Sequence, residues 1–302
     1  MDAEQMAAVA RKPAFIAALD QSGGSTPGAL RLYGVPDDDY HGDAEMFAQM
    51  HAMRVRIITS PAFSGERVLG AILFEKTMDG EAQGLPVPTY LWKQRGIVPF
   101  LKVDEGLAAE ADGVSLMKPM PGLPALLDRA LARGVFGTKM RSVIHRASPS
   151  GIAAIVAQQF QTALEIAGRG LVPIVEPEIS IKSPDKAQSE ALLRESLLGA
   201  LDALPADISV MLKLTLPETA DFYSALVGHP KVIRVVGLSG GYARADACAR
   251  LARNRGVIAS FSRALVEDLR KSMSDAEFDA ALGAAIGEIF AASTGKDGAR
   301  PL

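Results

Sequence analysis

The chain lacks most of what several kinds of chemistry require. It holds one cysteine, Cys248, so no intrachain disulfide can form, and a reducing compartment is expected. With no histidine beside it in sequence, Cys248 reads as a structural residue rather than a thiol nucleophile. The four histidines, His41, His51, His145 and His229, are scattered without ligand spacing. They read as surface or cap residues, and no metal is expected. No G-x-G-x-x-G dinucleotide fingerprint occurs. No apolar run reaches the roughly 20 residues of a membrane span. A net charge of −3 leaves no basic footprint for nucleic acid. Met1 to Lys12 carries Asp2 and Glu4 and lacks the basic-then-apolar order of a secretory signal, so the cytoplasm is the expected location.

What is present is core-forming material. The 302 residues are 48% hydrophobic and 22% charged, the balance of a globular protein with a sizeable core. That length suits one large α/β barrel or two ordinary domains. Eight apolar runs of strand length are expected near 14–20, 69–74, 97–103, 135–141, 171–177, 210–215, 232–238 and 257–262. Helical patterns separate them, and no low-complexity linker divides them. Val55 to Thr59 reads as a further short β-branched run, Pro217 as the start of a helix ending near Gly228, and Ser293 to Leu302 as a frayed tail. Ser274 with Glu277 three residues on is a capping-box pattern for the last helix. Strand–helix alternation implies a parallel sheet. Eight units over the whole length favour one closed (β/α)₈ barrel domain over 1–302 rather than an open doubly wound sheet.

The run Val210-Met211-Leu212-Lys213-Leu214-Thr215-Leu216 organises the rest. It is apolar at nearly every position, as a strand covered on both faces should be, yet it carries a lysine. Lysine is rarely buried, because its ammonium must lose water or find a partner. Either Lys213 is paired or reaches an exposed strand end, or it is an amine nucleophile with a depressed pKa. Its counterparts on the other strands bear on the choice. Asp20, Lys102, Lys139, Arg141, Glu176, Lys213, Ser239 and Arg263 all fall at strand ends, which meet on one face of a barrel. Lys139 and Arg141, two apart, share a strand face. Five cations against Asp20 and Glu176 give a cationic surplus, suited to depressing a lysine pKa and to holding phosphate.

Ser239-Gly240-Gly241 at a helix start offers backbone N–H groups to an anion, with Arg263 opening the next unit. Ser22-Gly23-Gly24-Ser25 is a second turn of that kind. The chemistry that fits is amine catalysis: Lys213 attacks a ketone, the iminium lets a carbon–carbon bond β to nitrogen break, and Glu176 moves protons. No cofactor is needed for it.

These residues resemble class I fructose-bisphosphate aldolases of the short bacterial form. The resemblance lies in Ala17-Ala18-Leu19-Asp20-Gln21-Ser22-Gly23-Gly24-Ser25, Phe100-Leu101-Lys102-Val103-Asp104 and Gly137-Thr138-Lys139-Met140-Arg141. It continues through Leu171-Val172-Pro173-Ile174-Val175-Glu176-Pro177-Glu178, Met211-Leu212-Lys213-Leu214, Leu238-Ser239-Gly240-Gly241 and Phe261-Ser262-Arg263. It implies a TIM barrel, no cofactor, and reversible cleavage of the phosphosugar fructose 1,6-bisphosphate to dihydroxyacetone phosphate and glyceraldehyde 3-phosphate. It further implies Lys213 as Schiff-base lysine, Glu176 as proton acceptor and donor, Asp20 as catalytic aspartate and Lys139 as a helper in carbinolamine chemistry. Lys102 and Arg141 match charged active-site residues, Glu178 a glutamate near the nucleophile, and Ser239, Gly240 and Arg263 the C1-phosphate site. Gly241 and Ser22 fall in the same two turns as substrate-binding candidates.

The chain departs from the pattern twice. Animal-type enzymes end in a tyrosine, whereas this chain ends Ala299-Arg300-Pro301-Leu302. Gly28 stands where short-form relatives often carry lysine, with Arg31 nearby as a substitute. The competing expectations are a Schiff-base aldolase for another ketose and a non-catalytic phosphosugar-binding barrel.

Overall fold

Strands apolar on successive positions need cover on both faces, and a closed parallel sheet wrapped in helices supplies it. The computed structural model describes residues 2–22 and 26–296. Eight parallel strands form the barrel: β1 (Phe15–Leu19), β2 (Val68–Leu73), β3 (Val98–Lys102), β4 (Gly137–Ile144), β5 (Val172–Ile179), β6 (Val210–Thr215), β7 (Val232–Leu238) and β8 (Val257–Phe261). Each pairs with the next in sequence, and β8 closes the ring onto β1. All eight expected runs are therefore strands, within a few residues of their expected limits.

Side-chain alternation divides the interior into two cores. Ile16, Ala18, Val98, Phe100, Ile174, Met211, Val236 and Ile258 fill the inside of the barrel. Val9, on the helix Ala3–Arg11, packs into that same core, and the Arg234 guanidinium of β7 donates to the Val9 carbonyl at 3.0 Å. The short N-terminal helix thus plugs the amino end of the barrel. The outward faces pack beneath an outer layer of helices. Ser274 and Glu277 make the capping box expected of the last helix, Asp275–Thr294.

Four local expectations fail. Val55 to Thr59 is not a separate run but the last turn of the helix Gly42–Thr59, where Ile57 and Ile58 join Met46, Met50 and Met53 in the core. Burial on a helical face outweighs β-branching. Past Pro217 only Ser224–Val227 makes a helical turn. There the Asp221 backbone is left-handed, at φ 56°, and its carboxylate accepts from the Arg255 N–H and guanidinium, both at 2.7 Å. The helix after Ser239-Gly240-Gly241 begins only at Arg244, so that turn precedes the helix rather than forming its first turn. Finally, the chain is not frayed from Ser293. The Ser293 hydroxyl, buried, accepts from the Ala259 N–H at 3.0 Å, and the Lys296 ammonium donates to the Asn254 carbonyl at 2.7 Å. The expected tail beyond Lys296 lies outside the described residues.

Candidate active site

Residues two apart on a strand point the same way, so inward-facing charges at the carboxyl ends converge. One cavity of about 790 Å³ opens there. Every candidate residue lines it: Asp20 and Ser22 after β1, Lys102 on β3, Lys139 and Arg141 on β4, Glu176 and Glu178 on β5, Lys213 on β6, Ser239, Gly240 and Gly241 after β7, and Arg263 after β8. Gly23, Gly24 and Ser25 lie outside the described residues.

The register explains the closest contacts. β5 and β6 pair at Ile174↔Met211 and Val175↔Leu212, and one further step brings Glu176 beside Lys213. The Lys213 ammonium lies 3.0 Å from Glu176 Oε1. Glu176 Oε2 lies 3.1 Å from the Lys139 ammonium, which lies 2.6 Å from Asp20 Oδ2. The result is a chain of alternating charge, Lys213–Glu176–Lys139–Asp20, with every member buried. Lys213 is therefore paired, and its partner is a buried carboxylate. The Glu176 backbone N–H donates at 2.8 Å to Gln159, a fully buried side chain on the helix Pro149–Gly168.

Burial by itself would push the Asp20 carboxyl upward, but the ammonium charges of Lys139, Lys213 and Lys102 hold it well below the usual carboxylate range. Burial likewise opposes the Lys139 charge, yet Asp20, Glu176 and Asp104 together keep it protonated well above an ordinary lysine. Glu178 shifts the other way. Its burial raises it, with the negative charge of Glu176 adding and Arg141, at 3.2 Å, opposing.

The expected cationic surplus is not there. Asp104, Glu178 and Glu267 also line the cavity and bring its carboxylates level with its cations. Asp104 is a cavity carboxylate that strand-end counting missed. It is buried, 2.9 Å from the Lys102 ammonium through Oδ1 and 3.9 Å from Lys139 through Oδ2. Its signal was its place two residues beyond Lys102, on the same side of the chain.

The turn expected to hold an anion is built from glycine. Gly240 and Gly241 have φ of +59° and +110°, conformations closed to most side chains. Ile181 fills the space a side chain at Gly240 would need, its Cγ2 only 2.7 Å from an added Cβ. An Arg263 guanidinium nitrogen lies 4.0 Å from the corresponding point on Gly241. Arg263 is exposed and, among the described residues, has no carboxylate partner. Gly28 lines the cavity, but Arg31 is paired with Asp37 at 2.6 Å.

The four histidines do not enter the cavity lining. Cys248 is buried, and burial pushes its thiol up to about 11. Among the described residues no helix is long and apolar enough to cross a membrane.

Comparison with known proteins points to one family. The family model described as Fructose-bisphosphate aldolase class-I matches residues 18–220. The chain is 56% identical over 290 residues to the fructose-bisphosphate aldolase class 1 of Synechocystis sp., covering 96% of this chain and 97% of that one. It is 53% identical over 293 residues to the enzyme of the same description from Porphyromonas gingivalis, covering 97% and 99%. Among solved structures, the Plasmodium falciparum fructose-bisphosphate aldolase, solved in complex with TRAP and a small-molecule inhibitor, superposes with a TM-score of 0.76. That match covers 97% of this chain and 94% of the other at 21% identity, a likeness of fold.

Proposed function

The chain belongs to the class I fructose-bisphosphate aldolase family, and we propose that Lys213 and Glu176 carry its chemistry at the carboxyl end of a single barrel domain. The enzyme is a carbon–carbon lyase. It cleaves fructose 1,6-bisphosphate reversibly to dihydroxyacetone phosphate and glyceraldehyde 3-phosphate.

The steps follow from amine chemistry. The Lys213 ammonium gives its proton to Glu176, and the free amine adds to the C2 carbonyl. The carbinolamine hydroxyl takes a proton and leaves as water, forming an iminium. A base removes the C4 hydroxyl proton as the C3–C4 bond breaks. The electron pair flows toward nitrogen, leaving an enamine and releasing glyceraldehyde 3-phosphate. Protonation at C3 and hydrolysis of the iminium then free dihydroxyacetone phosphate and Lys213. Glu176 is the proton carrier in this scheme. Lys139 stays cationic and stabilises negative charge at the carbinolamine oxygen, and Asp20 holds it in place. Ser239, Gly240, Gly241 and Arg263 bind the C1 phosphate, while Ser22, Lys102, Arg141 and Glu178 contact the rest of the substrate. The cytoplasm, where hexose phosphates occur, is its place of work.

The observation that carries the reading is the 3.0 Å contact between Lys213 and Glu176 inside a buried, charge-alternating chain. Borohydride trapping with dihydroxyacetone phosphate, followed by peptide mapping, tests it. The expected product is a reduced adduct on Lys213 that is lost in Lys213→Ala. An adduct on Lys139 or Lys102 would reassign the nucleophile, and none from folded enzyme would end the amine mechanism here.

A further inference from the structure

Arg54 breaks the rules for burying charge. It sits on the helix Gly42–Thr59 at 1% exposure, among the largest fully buried side chains, and no carboxylate lies within ion-pairing distance among the described residues. A buried guanidinium is costly unless its donors are met. One nitrogen donates to the Thr77 hydroxyl at 2.8 Å and another to the Gln21 main-chain carbonyl, while Nε has no partner. The Phe74 ring lies 5.8 Å from the guanidinium carbon. Burial draws Arg54 down to about 10, with the Asp20 charge opposing, so it remains a cation at neutral pH.

The carbonyl that Arg54 grips belongs to the residue directly after Asp20. The side chain of that same residue reaches the opposite way. Gln21 Nε2 donates to the Ser262 hydroxyl at 2.7 Å, and Ser262 directly precedes Arg263. The β1–β8 ladder explains why such a link is needed. Its register runs Ile16↔Ser260 and Ala17↔Phe261 and stops there. Asp20 and Arg263 both lie past the last paired residues, where main-chain pairing no longer sets their separation. The side-chain bond takes over at that height.

We propose that Arg54, Gln21 and Ser262 form a positioning relay that holds the end of the site where Asp20 fixes Lys139 in register with the anion cradle, at Arg263. The relay rests on the roles given to Asp20 and Arg263 above. A substrate whose carbonyl and phosphate must be held at once depends on that spacing. A loosened relay weakens positioning first and chemistry second.

A double-mutant cycle tests it, with steady-state cleavage of fructose 1,6-bisphosphate as the readout. Gln21→Ala and Ser262→Ala should each raise KM about five-fold, and the double variant no more than either single, because coupled residues are non-additive. Gln21→Glu, whose carboxylate can accept the Ser262 hydroxyl, should return KM toward the parent value. Arg54→Lys, which keeps the cation but loses the two-armed grip, should show the same KM rise. Multiplying effects in the double variant would overturn the relay, as would a lowered melting temperature with unchanged KM. Arg263→Ala in the same assay separates the two levels. If its KM is unchanged, the cradle assignment fails and takes the relay with it. If KM rises there but not in Gln21→Ala, the relay alone fails.

Discussion

The decisive unit at the residue scale is Lys139, a buried cation held by three carboxylates rather than one. Asp20 is the nearest, at 2.6 Å. Removing its charge should cost both chemistry and stability. Asp20→Asn is expected to lower kcat by on the order of 10²–10³. It should also lose about 1.5–3 kcal/mol of folding stability near neutral pH, the range for hydrogen bonds to charged groups. The pH dependence has a definite sign. Because the folded-state Asp20 is held below its ordinary value, the stability it contributes is fully present above the unfolded pKa of about 3.9. That contribution is lost as pH falls toward the folded value. The gap between parent and Asp20→Asn in urea denaturation should therefore be constant from pH 5 upward and close below about pH 4. A gap that instead widens in acid would contradict this account. Glu178, shifted upward by burial, is the cavity carboxylate that protonates first as pH falls among those with a resolved shift.

At the scale of elements, strand packing inside the barrel leaves little room for change. Gly137 opens β4, two residues before Lys139, with its register partners Phe100 and Val172 on either side. A Cβ there would lie 2.4 Å from the Val172 carbonyl oxygen and 3.0 Å from the Phe100 ring. Backbone cannot swing aside as a side-chain tip can. Gly137→Ala is therefore expected to destabilise the enzyme by about 1–3 kcal/mol, as overpacking does. It should also lower kcat, because β4 carries Lys139. Urea midpoints and steady-state kinetics on the same preparation check both. The element scale also shows where pattern reading succeeds. The apolar runs of β5 and β6 are visible because their partners are generic: any covered strand needs them. The stretch after Pro217 misleads because Arg255, far along the chain, draws Asp221 into a turn.

For the molecule as a whole, the two ends of the barrel have separate tasks. The carboxyl end holds the cavity, and the amino end is closed by the helix Ala3–Arg11, with Val9 in the inner core and Arg234 reaching its last turn. Deleting residues 2–12 should lower stability by on the order of 2–4 kcal/mol, comparable to emptying a large core position. The turnover of each folded molecule should change little, since the helix is remote from Lys213. Calorimetry with active-site titration by borohydride trapping separates these effects. A collapse of turnover per trapped site would show that the two ends are coupled.

Much of this protein is readable without its fold. The spacing of eight apolar runs is a local property, set by the need of each strand for cover on both faces, so the pattern favours a barrel over an open sheet, while closure itself is seen only in the pairing of β8 with β1. Charges at strand ends are equally visible, and all of those singled out line the cavity. What one dimension hides is compensation and contact. The cationic surplus disappears only when Asp104, Glu178 and Glu267 are counted at the same mouth. The buried Arg54 reaches Gln21 across 33 positions, and Gln21 reaches Ser262 across 241. Such contacts depend on strand register and ring closure, which bring distant residues within hydrogen-bond range, and no periodicity in the chain encodes which side chains will then touch.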